Sequence, residues 1–257
     1  MGVYDHPGYY EVAFSYQEVK RQVDYFEEVI RKFCHSEVKR FLDIGCGPSP
    51  QLREIARRGY EAVGLDLNPK MLRHLRQRAA DEGLRIDTIL ADMRDFNLRK
   101  RCDFAITLSG SLHVSSNEEF MKHLACVANA LNHRGVYLLE NVTLGLKPRY
   151  HQRWTKTRGH IRVNTDFESV LVDPLRQLYE ERLALRVRDQ GRSREFESTT
   201  KIKCFAPQEF RSLVESSGCF AFLGFFRHLS LKPLTRIEDD NVILMQKLRR
   251  SQHRAMR

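Results

Sequence analysis

The sequence predicts an α/β protein built on a doubly wound, mostly parallel sheet, with a small inserted β-subdomain. Three observations carry this expectation. Short apolar runs alternate with helical patterns from residue 38 to about 144, and the connections between them are brief. Start and stop signals bracket the helical segments. After residue 147 the texture changes to polar extended stretches, then returns to one more helix and two apolar runs.

Each element follows from local chemistry. In "YQEVKRQVDYFEEVIRKF" (16–33) Val19, Val23, Phe26, Val29, Ile30 and Phe33 fall at helical spacing. "VKRFLDIG" reads as the first sheet strand. "SPQLREIARRG" follows as a helix, with Ser49 as N-cap and Gly59 at its end. "YEAVGLDL" is a second strand, and "NPKMLRHLRQRAADEG" a helix with Asn68 as N-cap, Pro69 at its first position and Gly83 as its stop. "RIDTILAD" and "CDFAITLSG" are strands, "SNEEFMKHLACVANALN" is a helix, and "GVYLLENVT" is the fifth strand. Strands alternating with helices read as right-handed parallel β-α-β units. Residues 150–204 read as extended stretches, "HIRVNTDFESVLVD", "LRQLYEERLALRVRD" and "REFESTTKIKCFA", with a hairpin turn at "DQGRS". The middle stretch also admits a helix; its alternating "RLALRV" favours a strand. "APQEFRSLVESSG" is a helix, and "CFAFLGFFRH" and "NVILMQKL" are two strands whose short link implies antiparallel pairing. The expected organisation is a core over 1–149 with an N-terminal helical cover, a substrate-covering insert over 150–204, a return to the core over 205–248, and a basic tail over 249–257.

Composition narrows the function classes. The chain has 257 residues, 42% of them hydrophobic, enough for one α/β core. No apolar run approaches the roughly 18 residues of a membrane span, and no secretory pattern opens the chain, so a cytoplasmic protein is expected. Six cysteines show no C-x-x-C spacing and read as buried thiols; no metal site is expected. The net charge of +10 is spread along the chain and is densest in the tail. Nucleic acid is a possible partner on that ground, but no recognised binding module supports it.

The chemistry gathers at strand ends. Gly45 and Gly47 lie at the carboxyl end of the first strand, where open α/β sheets bind ligands. A dinucleotide fingerprint would place a third glycine at Pro50, and no P-loop lysine follows. Asp66 ends the second strand and can accept two hydrogen bonds from a ribose diol. Asp92 ends the third and can accept from an exocyclic amine, with Leu67 and Met93 flanking the ring. Asp43 can hold an ammonium, directly or through water. Each feature alone has a plainer reading as a turn or helix cap. Together, acids at three successive strand ends with no phosphate-binding cation suit S-adenosyl-L-methionine better than a nicotinamide dinucleotide.

Residues 38–144 resemble the class I S-adenosylmethionine-dependent methyltransferases. Asp43-Ile44-Gly45-Cys46-Gly47 is similar to their first motif, "GLDLNPKML" to the acid and helix that follow, "ADMRDF" to the adenine-contacting segment, and "FAITLSGSLHV", with Ser109, to the fourth strand and the loop beneath the methionine part. The resemblance implies a Rossmann-like methyltransferase fold: a seven-stranded sheet whose last strand is antiparallel. Many members have glycine where this chain has Ser49. The insert is similar in placement to those of small-molecule members such as glycine and aminosugar N-methyltransferases.

The expected function is in-line methyl transfer to nitrogen or oxygen of a small-molecule acceptor. RNA or protein methylation, or cofactor binding without catalysis, are the alternatives. "TLSGSL" lacks the Asn/Asp-Pro-Pro-aromatic signature linked to methylation of planar amino groups. No base is obligatory, so no catalytic residue is assigned. His113 is a candidate base or a packing residue. Tyr9, Tyr10 and Tyr16, ahead of the first helix, are candidates to cover the cofactor, and Arg153, Trp154 and Arg158 to bind substrate; packing and solvated charge are the alternatives.

Overall fold

The computed structural model describes residues 2–142, 144–145 and 147–249. The basic tail expected over 249–257 lies outside these residues from 250 onward. Seven strands form one sheet: β1 Arg40–Ile44, β2 Glu61–Asp66, β3 Ile86–Leu90, β4 Cys102–Thr107, β5 Leu131–Glu140, β10 Phe220–Arg227 and β11 Asn241–Lys247. Their order is β10-β11-β5-β4-β1-β2-β3. The first five are mutually parallel, and β11 runs antiparallel to both β5 and β10. The order reverses at β1, where the chain winds first toward β3 and then back across β4. That switch point is where an open α/β sheet forms a crevice.

Both faces are covered, so the central strands are apolar on alternate residues to each side. Leu42, Ala105, Tyr137, Leu139 and Ile243 face one core, with Phe120 and Leu124 from helix α5 (Asn117–Ala130) and Phe210 from α6 (Pro207–Ser216). Phe41, Phe104, Ile106, Leu138 and Leu244 face the other, with Phe26 from α2 (Val19–Phe33), Leu52 from α3 (Pro50–Arg57) and Leu75 from α4 (Pro69–Asp81). Burying each such large side chain contributes about 1.5–3 kcal/mol. The caps read from sequence are present. Ser49 Oγ accepts from Leu52 N at 3.1 Å and Asn68 Oδ1 from Lys70 N at 2.8 Å, with Pro50 and Pro69 opening the helices.

A second sheet of four antiparallel strands lies between β5 and α6: β6 Arg149–Arg158, β7 Ile161–Asp173, β8 Leu178–Asp189 and β9 Arg192–Lys203, in sequential order. The ambiguous middle stretch is therefore a strand. β6 was not resolved as a strand by its pattern, because "RYHQRWTKTR" is polar nearly throughout and gains its order by pairing with β7 over Arg149–Arg158.

The N-terminus differs from expectation. A 3₁₀ turn, Val3–Asp5, and a seven-residue helix, α1 Pro7–Ala13, precede α2. Tyr9 and Tyr10 thus lie on the first helix rather than ahead of it. A helix this short is marginal alone; tertiary bonds hold it. Tyr9 Oη donates to Asp189 at 2.8 Å, and the Trp154 indole donates to Ala13 O at 2.8 Å. Among the described residues, no helix is long and apolar enough to cross a membrane.

Candidate active site

The turn after β1 is built around what a side chain would obstruct. Gly45 sits at φ 69°, and a Cβ there would lie 3.2 Å from Ser111 Cβ. The amides of Gly45 and Cys46 both donate to Leu65 O, at 2.8 and 3.0 Å, folding the loop back onto β2. Gly47, at φ 54°, donates its amide to Asp66 Oδ2 at 2.7 Å. Ser49 occupies the third-glycine position at φ 27°, a left-handed conformation costly for a side chain by about 1–3 kcal/mol. Its hydroxyl offsets this by donating to Asp43 Oδ2 at 2.6 Å and capping α3.

Gly45, Gly47, Asp66, Leu67, Asp92, Met93 and Ser109 line one cavity of about 1250 Å³. Small-molecule sites commonly run to roughly 300–1,000 Å³, so this one has room for two ligands. Its roof is the four-stranded sheet, through Tyr150, Trp154 and Phe167 among others, and its side is the N-terminal segment, through Tyr4, Tyr10, Phe14 and Tyr16.

Asp66 ends β2 with Oδ1 accepting the Asn68 amide at 2.7 Å. Burial raises its pKa, and the backbone donors of Asn68 and Gly47 oppose the rise. Leu67 beside it is 67% exposed, an apolar surface presented to the cavity. Asp92 also reaches the cavity, but both its oxygens are engaged: Arg94 Nε donates to Oδ1 at 2.9 Å and Nη2 to Oδ2 at 2.7 Å. These bonds hold the Asp92 carboxyl below its usual range. Arg94 was not weighed from sequence. The neighbouring Met93 carbonyl accepts from His123 Nδ1 at 3.0 Å, and His123 Nε2 takes the Tyr137 hydroxyl at 2.7 Å, which in turn accepts from Thr107 at 2.8 Å. Burial drives the His123 pKa down to about 4, so the ring stays neutral and this chain pins the loop to β4 and β5.

Two residues of the first motif are placed differently. Asp43 is 2% exposed and lines a smaller hollow of about 280 Å³ behind the glycine turn, not the large cavity. Cys46 also borders that hollow, but its thiol is buried in the core beneath Gly64, where a Cβ would lie 2.9 Å from Sγ.

Burial raises the Asp43 pKa from 3.8 to about 7, against the Ser49 hydrogen bond and with the negative charges of Asp66 and Glu140 adding to it. The folded pKa lies above the unfolded one. The associated stability is therefore complete below about pH 3.8 and lost as pH rises through about 7. Asp43→Asn, which keeps an acceptor for Ser49, is expected to gain on wild type in melting temperature between pH 5 and pH 8. Thermal unfolding of the ligand-free protein at both pH values checks this.

The loop after β4 supplies Ser109 at φ 52°, exposed, with its amide donating to Glu140 Oε2 at 2.9 Å and its hydroxyl accepting from Gln17 at 2.8 Å. Glu140, at the carboxyl end of β5 and 3% exposed, accepts from His228 Nε2 at 2.7 Å. Burial works against charge on His228, but the Glu140 hydrogen bond and charge prevail and raise its pKa. Both line the cavity and neither was singled out from sequence. Glu140 obeys the strand-end rule already applied to Asp66; His228 sits in a loop with no signal.

His113 lines the cavity, and burial lowers its pKa, so its imidazole is neutral near pH 7. Tyr10 and Tyr16 line the cavity; Tyr9 does not. Trp154 lines it too, edge-on to Phe14 and Tyr16. Arg153 is committed to Asp166 at 2.6 Å and Arg158 to Glu11 at 3.1 Å; neither lines the large cavity.

This crevice and fold define a class. Residues 41–135 match the family described as a methyltransferase domain. Among curated proteins, it is similar to the ubiquinone biosynthesis O-methyltransferase of Nitrosococcus oceani, 32% identical over 104 residues. That match spans 40% of this chain and 41% of the relative's length. Among solved structures, an S-adenosylmethionine-dependent methyltransferase from Clostridium acetobutylicum superposes with a TM-score of 0.77 at 16% identity, covering 93% of this chain and 96% of that one. DesVI of Streptomyces venezuelae gives 0.76 at 19%, covering 93% and 97%. An amino pentose methyltransferase from Micromonospora echinaspora, with S-adenosylmethionine bound, gives 0.68 at 21%, covering 93% and 96%. At these identities the likeness is one of fold. It includes the seven-stranded sheet with its inserted β-subdomain.

Proposed function

We propose that the protein transfers a methyl group from S-adenosylmethionine to a nitrogen or oxygen of a small polar acceptor held between the core sheet and the inserted sheet. The observation that carries this reading is the single cavity joining the glycine turn and Asp66 to the face of the insert. Solved neighbours described as an amino pentose methyltransferase and a sugar N-methyltransferase support an acceptor of that size.

The residues fit the cofactor. The bare main chain at Gly45 leaves space that a Cβ would fill. Asp66 is the acceptor for the ribose hydroxyls, Leu67 and Met93 flank the adenine, and Asp92 keeps lone pairs for its amine beside Arg94. Ser109 and the main chain of Cys46 border the methionine part. Asp43 acts through the loop, holding Ser49 and so the turn. When bound, the cofactor supplies an electrophilic methyl on a sulfonium. The protein then orients the acceptor and excludes water. His113, neutral and in the cavity wall, takes the proton that the acceptor's nitrogen or oxygen must shed.

The wall opposes a nucleic-acid acceptor. Among the described residues it carries nine carboxylates against five lysines and arginines, although the whole chain is at +10. Phosphates favour the reverse.

Incubation with radiolabelled S-adenosylmethionine and a fractionated metabolite extract should label a small molecule and not RNA or protein; label confined to macromolecules would defeat the reading. With the acceptor in hand, His113→Ala should lower kcat by about 10²-fold and leave cofactor affinity unchanged. An unaltered kcat would remove His113 as the base.

A further inference from the structure

The four-stranded sheet turns one face to the cavity. On it a polar row crosses all four strands: Tyr150, Ser169, Glu181 and Thr200, each directly opposite the next. All four line the cavity. Glu181 is central; by the alternation of the strands the other carboxylate on that face among the described residues is Asp189, at the far end of β8, which accepts from the Tyr9 hydroxyl and does not line the cavity.

The two faces treat acids differently. On the outer face Asp166 pairs with Arg153 and Arg182, Glu168 with Arg149 and Arg182, Glu195 with Arg186, and Glu197 with Arg182. Glu181 is half-buried in the cavity wall and has the Ser169 hydroxyl as its partner, with no salt bridge to a cation among the described residues. Burial raises its pKa to about 7. A buried carboxylate without a counter-charge is costly, and here the missing partner faces a cavity large enough for two ligands. Four of the five lysines and arginines in the cavity wall pair elsewhere: Arg21 with Glu18, Lys70 with Asp5, Arg94 with Asp92 and Lys147 with Asp239; the fifth, Lys201, is exposed and stands opposite Glu180 in the sheet, not opposite Glu181. The neighbouring hydroxyls of Tyr150 and Ser169, whose protons go to Gln152 and Glu181, keep lone pairs to accept with, and the Thr200 hydroxyl adds another polar group, which suits a ligand bearing several hydroxyl groups.

We infer that this row is the acceptor subsite and that Glu181 is its specificity-determining residue, selecting a polyhydroxylated amine by pairing with the amine. The inference rests on the methyltransferase reading and names its acceptor class. Glu181 binds; it does not carry out the transfer.

The test uses the full chain saturated with S-adenosylhomocysteine. Three amino sugars that differ in the ring position of the amine are titrated in by calorimetry, each against its parent sugar. At least one amine should bind, its parent sugar at least tenfold more weakly. Glu181→Gln, nearly isosteric, should weaken the amine at least tenfold with S-adenosylhomocysteine affinity unchanged, which also shows that the variant is folded. Thr200→Val should produce a smaller loss. Equal binding of the amine by Glu181→Gln, parent sugars binding as well as amines, or no amine binding at all each overturns the subsite. Failure to bind S-adenosylhomocysteine would instead overturn the functional reading beneath it. Once the acceptor is known, Glu181→Gln should raise KM far more than it lowers kcat; a loss confined to kcat would reassign the residue.

Discussion

Asp66→Ala is expected to weaken S-adenosylmethionine binding by about 100-fold or more. In the free protein the two carboxylate oxygens of Asp66 receive the amides of Gly47 and Asn68, each at 2.7 Å. One substitution therefore removes the ribose acceptor and frees two sides of the crevice at once. Hydrogen bonds to a charged partner contribute about 1.5–3 kcal/mol each, and losing two from the ligand corresponds to the stated factor or more. Asp66→Asn separates the effects, since it retains one acceptor oxygen for the turn but has no charge. It should lose affinity by a smaller factor with little change in melting temperature. Calorimetry with both variants checks this, and unchanged affinity in the alanine variant would remove Asp66 from the cofactor site.

The second large effect is expected at Glu11. This carboxylate on α1 is 7% exposed and gathers partners from three other elements: the guanidiniums of Arg53 of α3 at 2.5 Å and Arg158 of β6 at 3.1 Å, and the His74 ring of α4 at 3.3 Å. Burial works against its charge, but His74, Arg53 and Arg158 prevail and hold its pKa down to about 2. Removing one partner of a buried pair costs about 3–5 kcal/mol. Arg53 keeps Glu82 at 2.5 Å, so the lower figure applies. At this chain length that is a fall of about 6–12 °C in melting temperature. Since the folded pKa is depressed, the stabilisation is present above pH 4.5 and fades as pH falls through about 2. The gap between wild type and Glu11→Gln should thus be full at pH 7 and narrow toward pH 3. Loosening α1 also frees Tyr10 and Phe14 from the cavity wall, so ligand affinity should fall with stability. A melting temperature within 2 °C of wild type would contradict the role given to this cluster.

Much of the core was legible because its signals are local. A strand that ends in a sharp turn needs glycine, a helix that follows needs a cap, and acids at the carboxyl ends of successive strands together point to a ligand. Gly45, Ser49, Asp66 and Asn68 announce themselves on those grounds. The rest depends on partners distant in the chain. Glu181 lies in "LYEERLALRV", where period-two spacing fixes which residues share a face but not which face meets the cavity. Arg94 is two residues from Asp92, and nothing in that spacing says it will take both oxygens. α1 exists because Arg53, Trp154 and Asp189 hold it, and β6 because β7 pairs with it. The direction of the Cys46 thiol follows from the left-handed turn at Gly45, a conformation that residue types allow but do not dictate.

The position of β11 has a consequence for synthesis. It occupies the interior of the sheet between β5 and β10, contributes Val242, Ile243, Leu244 and Met245 to both cores, and yet follows the other six strands in the chain. Until it leaves the ribosome, β5 has an unpaired hydrophobic margin and β10 has no neighbour. A nascent chain must shelter that open border, since such margins invite intermolecular association. Assembly of this protein is therefore completed only after translation has passed β11.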